Sequence, residues 1–99
     1  MISIKLYKRG NDLLVGACDE NLLGKKFEDG KFQIDVNRDF YGGQKIKPEG
    51  LAKYLKEATI ANLVGSETIK CAIDIGLINP DCVIRIKGIP HAQMVRMLT

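Results

Sequence analysis

A change of hydrophobic period divides this chain, and in its first half the apolar residues recur at every second position. In the run Ile-Ser-Ile-Lys-Leu-Tyr at residues 2–7, apolar side chains alternate with polar or amphipathic ones. This alternation is typical of a strand with one buried face. Turn residues at 9–12 and at Asp29-Gly30 tolerate the positive φ angles of tight hairpin turns. The first half therefore predicts an antiparallel β-meander, with residues 13–18 as its second strand.

From Pro48 onward the apolar residues recur at helical intervals. They are spaced i, i+3, i+4 and i+7 from Leu51 to Ala58, and Pro48 suits the first helical turn. Gly65 is predicted to end this helix, and Ser66 to cap a second one. Because the polar side of the second helix is net acidic, phosphates would repel it, and a DNA-binding helix-turn-helix is disfavoured.

The carboxyl-terminal segment returns to alternation. Residues 82–87 predict a strand that carries Arg85 and Lys87 on its outward face. Residues 91–98 suit either a strand or a helix that starts at Pro90, and the pattern leaves both open.

Length and composition are those of an ordinary globular domain. A chain of 99 residues buries roughly 65% of the surface of its unfolded form, enough for one core. We expect a single α+β domain over residues 1–99: antiparallel hairpins, two helices packed on one face, and a C-terminal strand that returns to the sheet. No run approaches the ~20 apolar residues of a membrane span. Three widely spaced cysteines suit reduced thiols better than a disulfide or zinc site. We expect a cytoplasmic protein without membrane contact, metal or cofactor.

The net charge of +3 lies entirely at the carboxyl end. Residues 1–81 hold twelve Lys and Arg against twelve Asp and Glu, whereas residues 82–99 hold three cations and no acid. A segment of one charge sign can orient a protein toward a polyanion. We therefore hypothesise a non-enzymatic module that contacts RNA or a ribonucleoprotein. The candidate contact residues are Arg85, Lys87, His91, Gln93 and Arg96, joined by Lys5 and Tyr7, where an outward ring beside a cation suits base stacking.

Four separate runs of the sequence carry a family resemblance. They are Cys-Asp-Glu-Asn-Leu-Leu-Gly at 18–24, Phe-Tyr-Gly-Gly at 40–43, Glu-Ala-Thr-Ile-Ala-Asn-Leu-Val-Gly at 57–65 and Gly-Ile-Pro-His-Ala-Gln at 88–93. Together, and in this order, they resemble the family of small archaeal proteins called domain of unknown function 424. The resemblance implies an archaeal, cytoplasmic setting. It implies no reaction, ligand or catalytic residue, so the functional hypothesis rests on the residues themselves.

Two other functions remain open. An edge strand or an apolar carboxyl-terminal patch would suit a protein partner or a second copy of the chain. The patch residues are Met94, Val95, Met97 and Leu98. The single histidine, His91, would serve as general base of a small hydrolase or transferase if folding brought it near Cys18 or Asp19. No spacing in the sequence demands that chemistry, and we assign no catalytic residue.

Overall fold

Eight strands and three α-helices form within residues 1–96, the part of the chain that the computed structural model describes. The strands are β1 (Ile2–Arg9), β2 (Asp12–Asp19), β3 (Lys26–Asp29), β4 (Phe32–Asp35), β5 (Gln44–Ile46), β6 (Ile60–Val64), β7 (Ile84–Ile86) and β8 (Ile89–Val95). The helices are α1 (Arg38–Tyr41), α2 (Leu51–Glu57) and α3 (Ser66–Asp74). This confirms the predicted α+β class. None of the helices in this part of the chain is long and apolar enough to cross a membrane.

Six strands form one mixed sheet in the order β5-β1-β2-β6-β8-β7, while β3 and β4 form a separate hairpin. Neighbours in the large sheet run antiparallel except for β2 and β6, which are parallel. The predicted continuous meander is therefore wrong, although both of its hairpins exist. After β2, the 3-10 turn Glu20–Leu22 and Gly24 at φ +86° lead the chain off the sheet before β3 begins.

The central strand β6 is the element that the sequence pattern missed. Helical spacing continues to Ala58, where the backbone becomes extended, and the five residues of β6 follow. Short apolar runs fit a strand as well as a helix, so periodicity alone did not separate them. The prediction that Gly65 ends a helix is wrong. Gly65 joins β6 to α3 at φ +109°, where a Cβ would collide with the Asp19 carboxylate.

The amino terminus of α3 is capped from the end of β2, and the predicted cap, Ser66, is wrong. One oxygen of the buried Asp19 carboxylate accepts hydrogen bonds from the Thr68 amide at 2.9 Å and from the Thr68 hydroxyl at 2.8 Å. The other oxygen accepts from the Glu67 amide at 3.2 Å. A carboxylate satisfies the free N–H groups of a helix start and complements the helix dipole. Asp19 therefore fixes α3 against the sheet.

The face of the large sheet that α2 and α3 cover, here the helix-pair face, carries the larger core. Its buried strand residues are Ile2, Ile4, Val15, Ala17, Ala61, Leu63, Ala92 and Met94. The helices contribute Leu51, Leu55, Ile69 and Ala72. This confirms the prediction of two helices packed on one face.

The opposite face, here the hairpin face, is covered only in part, by α1 and the β3–β4 hairpin. A smaller apolar cluster lies beneath them and comprises Cys18, Leu22, Ile34, Val36, Tyr41, Val64 and Ile86. The remainder of this face bears polar, aromatic and aliphatic side chains.

The carboxyl-terminal segment forms the last two strands. Residues 91–95 belong to β8, so the strand alternative holds for them, whereas residues 97 and 98 lie outside the described part of the chain. The predicted strand over 82–87 is too long: Cys82 lies in the 3-10 turn Pro80–Cys82, and Lys87 lies in the β7–β8 turn at φ +54°. The chain does return to the sheet, as predicted.

Candidate functional site

Alternation along four adjacent strands places polar and aromatic side chains together on the hairpin face. The pairing register aligns one row across β1, β2, β6 and β8, made of Lys5, Gly16, Asn62 and Gln93. The next row, toward the β1–β2 turn, is Tyr7, Leu14, Ile60 and Val95. The row on the other side is Ser3, Cys18, Val64 and His91. Directly opposite residues share a face.

Helix α1 lies directly on this surface because Gly16 leaves room for it. A Cβ at Gly16 would come within 2.9 Å of the Phe40 ring. From β1, the Tyr7 hydroxyl donates to the Phe40 carbonyl at 2.7 Å, and Lys5 Nζ donates to the Asp39 carbonyl at 2.8 Å. The rings of Tyr7 and Phe40 stack with centroids 5.4 Å apart. Strand β1 therefore holds α1 and orients its aromatic ring.

Two cavities flank Phe40, and the larger one, here the apolar cavity, has a volume of about 680 Å³. It is lined by Tyr7, Lys8, Arg9, Asp12, Leu14, Phe40 and Ile60. The volume falls within the range of small-ligand sites. Lys8 and Arg9 are exposed, while the Asp12 carboxylate accepts a bond from the Thr59 hydroxyl at 3.1 Å. The cavity thus combines aromatic and aliphatic walls with two exposed cations and one exposed carboxylate, so its net charge is positive.

The second cavity, here the amide cavity, measures about 300 Å³ and lies between α1, the β3–β4 hairpin and the large sheet. It is lined by Gln33, Ile34, Asp35, Phe40, Tyr41, Asn62, His91 and Gln93. Gln93 Nε2 donates to Asn62 Oδ1 at 2.8 Å. This bond leaves the Asn62 NH₂ group as a donor and Gln93 Oε1 as an acceptor.

His91 lines the amide cavity, and its hydrogen bonding defines which ring nitrogen carries the proton. Its Nδ1 lies 3.0 Å from the Leu63 carbonyl oxygen, which can only accept, so Nδ1 carries the proton. Burial lowers the pKa of the imidazole, and the bond to Leu63 opposes this shift. The ring is therefore neutral at neutral pH, and its Nε2 is a hydrogen-bond acceptor.

Comparison with known proteins identifies the family. The family described as "Protein of unknown function (DUF424)" matches residues 7–97. The chain belongs to this family. No curated protein matches it. A solved structure, the "Crystal structure of an uncharacterized conserved protein from Methanopyrus kandleri", is 24% identical with a TM-score of 0.81, and the match covers 99% of this chain and 96% of that one. The likeness supports the fold of this family member.

Four of the seven predicted contact residues lie on the hairpin face. They are Lys5, Tyr7, His91 and Gln93. The other three are the cations of residues 82–99, namely Arg85, Lys87 and Arg96, and they lie apart from one another. Arg85 pairs with Pro90 and therefore points to the opposite face, and Lys87 occupies the β7–β8 turn. The cations do not form a single cluster.

Arg96 lies at the far end of β8 from Lys87, and the seven residues of that strand span roughly 23 Å. Its guanidinium Nη1 donates to the Lys56 carbonyl at 2.6 Å, and its amide donates to the Thr59 carbonyl at 2.7 Å. Arg96 thus binds the carboxyl-terminal end of α2, where a cation complements the helix dipole.

The residues considered for His91-based catalysis are not arranged for it. Cys18 and His91 share a face but lie two strands apart, roughly 10 Å. Burial, with a smaller effect of Asp19, raises the pKa of the Cys18 thiol to about 12. A buried thiol with so high a pKa is a poor nucleophile. Asp19 itself is engaged by α3.

Several residues of this surface escaped the sequence reasoning. The sequence does single out Asn62, because it is the one polar residue in the apolar run at 60–64. Nothing in the sequence singles out Phe40, Gln33 or Asp35, because they reach the cavity only through the packing of α1 and the β3–β4 hairpin over the sheet.

Proposed function

We propose that this protein is a non-enzymatic module that binds single-stranded RNA across its hairpin face. The observation that carries the proposal is that two chemically different cavities meet at one aromatic ring, Phe40, on the hairpin face. Exposed rings beside cations provide the stacking and phosphate contacts that single strands use.

The apolar cavity suits a stacked base. Tyr7 and Phe40 supply aromatic surface, and the aliphatic side chains of Leu14 and Ile60 complete the walls. Lys8 and Arg9 line the same cavity, where they can neutralise a neighbouring phosphate. The two rows that bear the cavities are two residues apart along the strands, roughly 6.6 Å, so successive nucleotides can reach both.

This proposal retains Lys5, Tyr7, His91 and Gln93 from the sequence hypothesis. It adds the two cations of the β1–β2 hairpin, and it omits the three cations of the carboxyl-terminal segment because they are dispersed. The archaeal, cytoplasmic setting expected from the sequence remains part of it.

Two matched double variants locate the contact. Lys8→Ala with Arg9→Ala removes two exposed cations beside the apolar cavity, and Arg85→Ala with Lys87→Ala removes two exposed cations elsewhere. Affinity for a fluorescein-labelled single-stranded RNA is measured by anisotropy across a salt titration. We expect the first variant to weaken binding and to reduce the salt slope by about 1.4, the value for two phosphate contacts on a single strand.

The second variant carries the same charge change and controls for general electrostatics. Equal losses in both variants, or a larger loss in the second, would overturn the hairpin face as the contact. Absence of binding by the unaltered protein at low salt would overturn RNA binding itself.

A second candidate function is self-association through the edge of β8. Every second residue of β8 bonds to β6 through its backbone. The bonds from the Arg96 amide to Thr59 and from the Gly65 amide to Pro90 show that these are the even-numbered residues. Backbone groups of Gln93 and Val95 consequently point away from β6. Among residues 1–96, strand β7 pairs with residues 89–91 alone, so it does not reach Gln93 and Val95.

Exposed apolar side chains flank this free edge. Val95 is 72% exposed and Ile84 is 48% exposed. Met94, which the sequence hypothesis placed in the same apolar patch, is buried, and Met97 and Leu98 lie outside the described residues. A second copy of the chain could pair antiparallel across this edge about a two-fold axis, so that each copy completes the other.

Light scattering coupled to size exclusion tests this candidate. We expect twice the chain mass of 11.0 kDa for the unaltered protein, and a monomer for Val95→Lys, which places like charges on the edge. A monomeric unaltered protein at all concentrations would refute it.

A further inference from the structure

We infer that the amide cavity reads the base of one nucleotide and that it selects guanine. This inference rests on the proposed function, because it assigns base recognition to a part of the same RNA-binding surface.

The lining of the cavity favours a neutral group over a phosphate. Lys and Arg are absent from its lining within residues 1–96, while Asp35 contributes a carboxylate. Lys26 lies opposite Asp35 on β3, but its ammonium group pairs with Glu28 at 3.5 Å, so a phosphate in the cavity would meet the Asp35 charge first. The volume of about 300 Å³ suits a single planar ring system, and Phe40 forms part of the wall. A base, rather than the backbone, is the part of RNA that this cavity can accept.

The hydrogen-bonding groups of the cavity are rich in acceptors. Gln93 Oε1 and His91 Nε2 are available because the bonds to Asn62 and Leu63 fix the opposite ends of both side chains. Asp35 adds two carboxylate oxygens, and it is exposed rather than paired with a cation among the described residues. A ligand with adjacent donors would satisfy such a set.

Guanine is the base that matches this pattern. Its Watson–Crick edge presents a ring N–H beside an amino group, and a carboxylate can accept both in a bidentate contact. Its O6 then needs a donor, which the NH₂ group of Asn62 or Gln33 can provide. Adenine, cytosine and uracil each present only one donor position on that edge, so they would leave one carboxylate oxygen without a partner.

Asp35 also lies close to the buried wall of the cavity. Burial raises the pKa of the Tyr41 hydroxyl to about 12, with further contributions from Cys18 and Asp35. Tyr41 therefore stays protonated at neutral pH. The position of the Asp35 carboxylate relative to the cavity is set by the β3–β4 hairpin, and that of Tyr41 by α1.

The experiment compares labelled oligouridines that carry a single central G, A or C. We expect the unaltered protein to bind the G oligomer about tenfold more tightly than the other two, within the range of one bidentate contact. In Asp35→Asn, which replaces one acceptor by a donor, we expect the affinity for the G oligomer to fall to that of the A oligomer.

Asp29→Asn is the matched control. It removes the same charge from the same hairpin, yet Asp29 does not line the amide cavity. Both variants should bind plain oligouridine alike, and Asp29→Asn should keep the preference for G.

Each unfavourable outcome identifies what has failed. Equal affinity of the unaltered protein for G, A and C oligomers would overturn the guanine inference while RNA binding stands. A preference for G that survives in Asp35→Asn would overturn the assignment to Asp35. Failure to bind any oligomer would overturn the proposed function.

Discussion

The two faces of the large sheet are built from the same strands but have opposite character. On β6, Leu63 is buried in the helix-pair face, whereas its neighbour Asn62 points to the hairpin face, where its side chain bonds with Gln93. Because successive residues of a strand project to opposite sides, one short segment serves both faces. The difference indicates that the helix-pair face carries most of the core that stabilises the fold, and it is the hairpin face that we propose for binding.

The largest expected effect is on the free energy of unfolding, and it separates two substitutions at adjacent residues of β6, one on each face of the sheet. Leu63→Ala leaves a cavity in the helix-pair face and should lower the free energy of unfolding by about 2–5 kcal/mol. Asn62→Ala loses one partly exposed hydrogen bond and should lower it by about 1 kcal/mol or less. Urea denaturation of both variants measures this difference. Equal destabilisation would break the contrast between the faces.

A smaller effect comes from comparing two helix caps. Asp19→Ala removes a buried carboxylate that accepts three hydrogen bonds at the start of α3, and we expect a loss of about 2 kcal/mol. Asn37→Ala removes one bond, to the Asp39 amide at the start of the short helix α1, and we expect about 0.5–1 kcal/mol. Thermal or urea unfolding checks the order, and a larger loss in Asn37→Ala would contradict it.

The smallest effect concerns pH and His91. Because burial lowers the pKa of His91 in the folded protein, the unfolded chain takes up a proton first as the pH falls below about 6.5. Stability should therefore decrease as the pH falls through this range. Unfolding between about pH 7.5 and 5.5 should be less pH-dependent in His91→Gln. An unchanged or steeper dependence in that variant would show that the ring is not held neutral.

The sequence predicted the elements whose pattern is local. The alternation at residues 2–7, the Asp29-Gly30 turn and the helical spacing from Leu51 each identified the correct element. Strand β6 was missed because a buried strand and a helix share the same short apolar pattern. The cap of α3 was missed because Asp19 is distant in sequence and reaches the helix only through the pairing of β2 with β6.

The candidate site was predictable only in part, for the same reason. Alternation on β1 indicated that Lys5 and Tyr7 share a face. The pairing of four strands and the position of α1, which depends on Gly16, were needed to place Asn62 and Phe40 beside them. The charge asymmetry of the sequence suggested a cluster of cations at the carboxyl end. In the structure these cations are dispersed, because Lys87 lies in the β7–β8 turn and Arg96 caps α2.

Backbone amide chemical shifts during titration with a guanine-containing single-stranded RNA test the account most directly. The hairpin face should respond, with the largest shifts at Tyr7, Gly16, Asn62 and His91, while the helices α2 and α3 stay unchanged. Shifts confined to the β7–β8 turn around Lys87, or to the helix-pair face, would contradict the assignment of binding to the hairpin face.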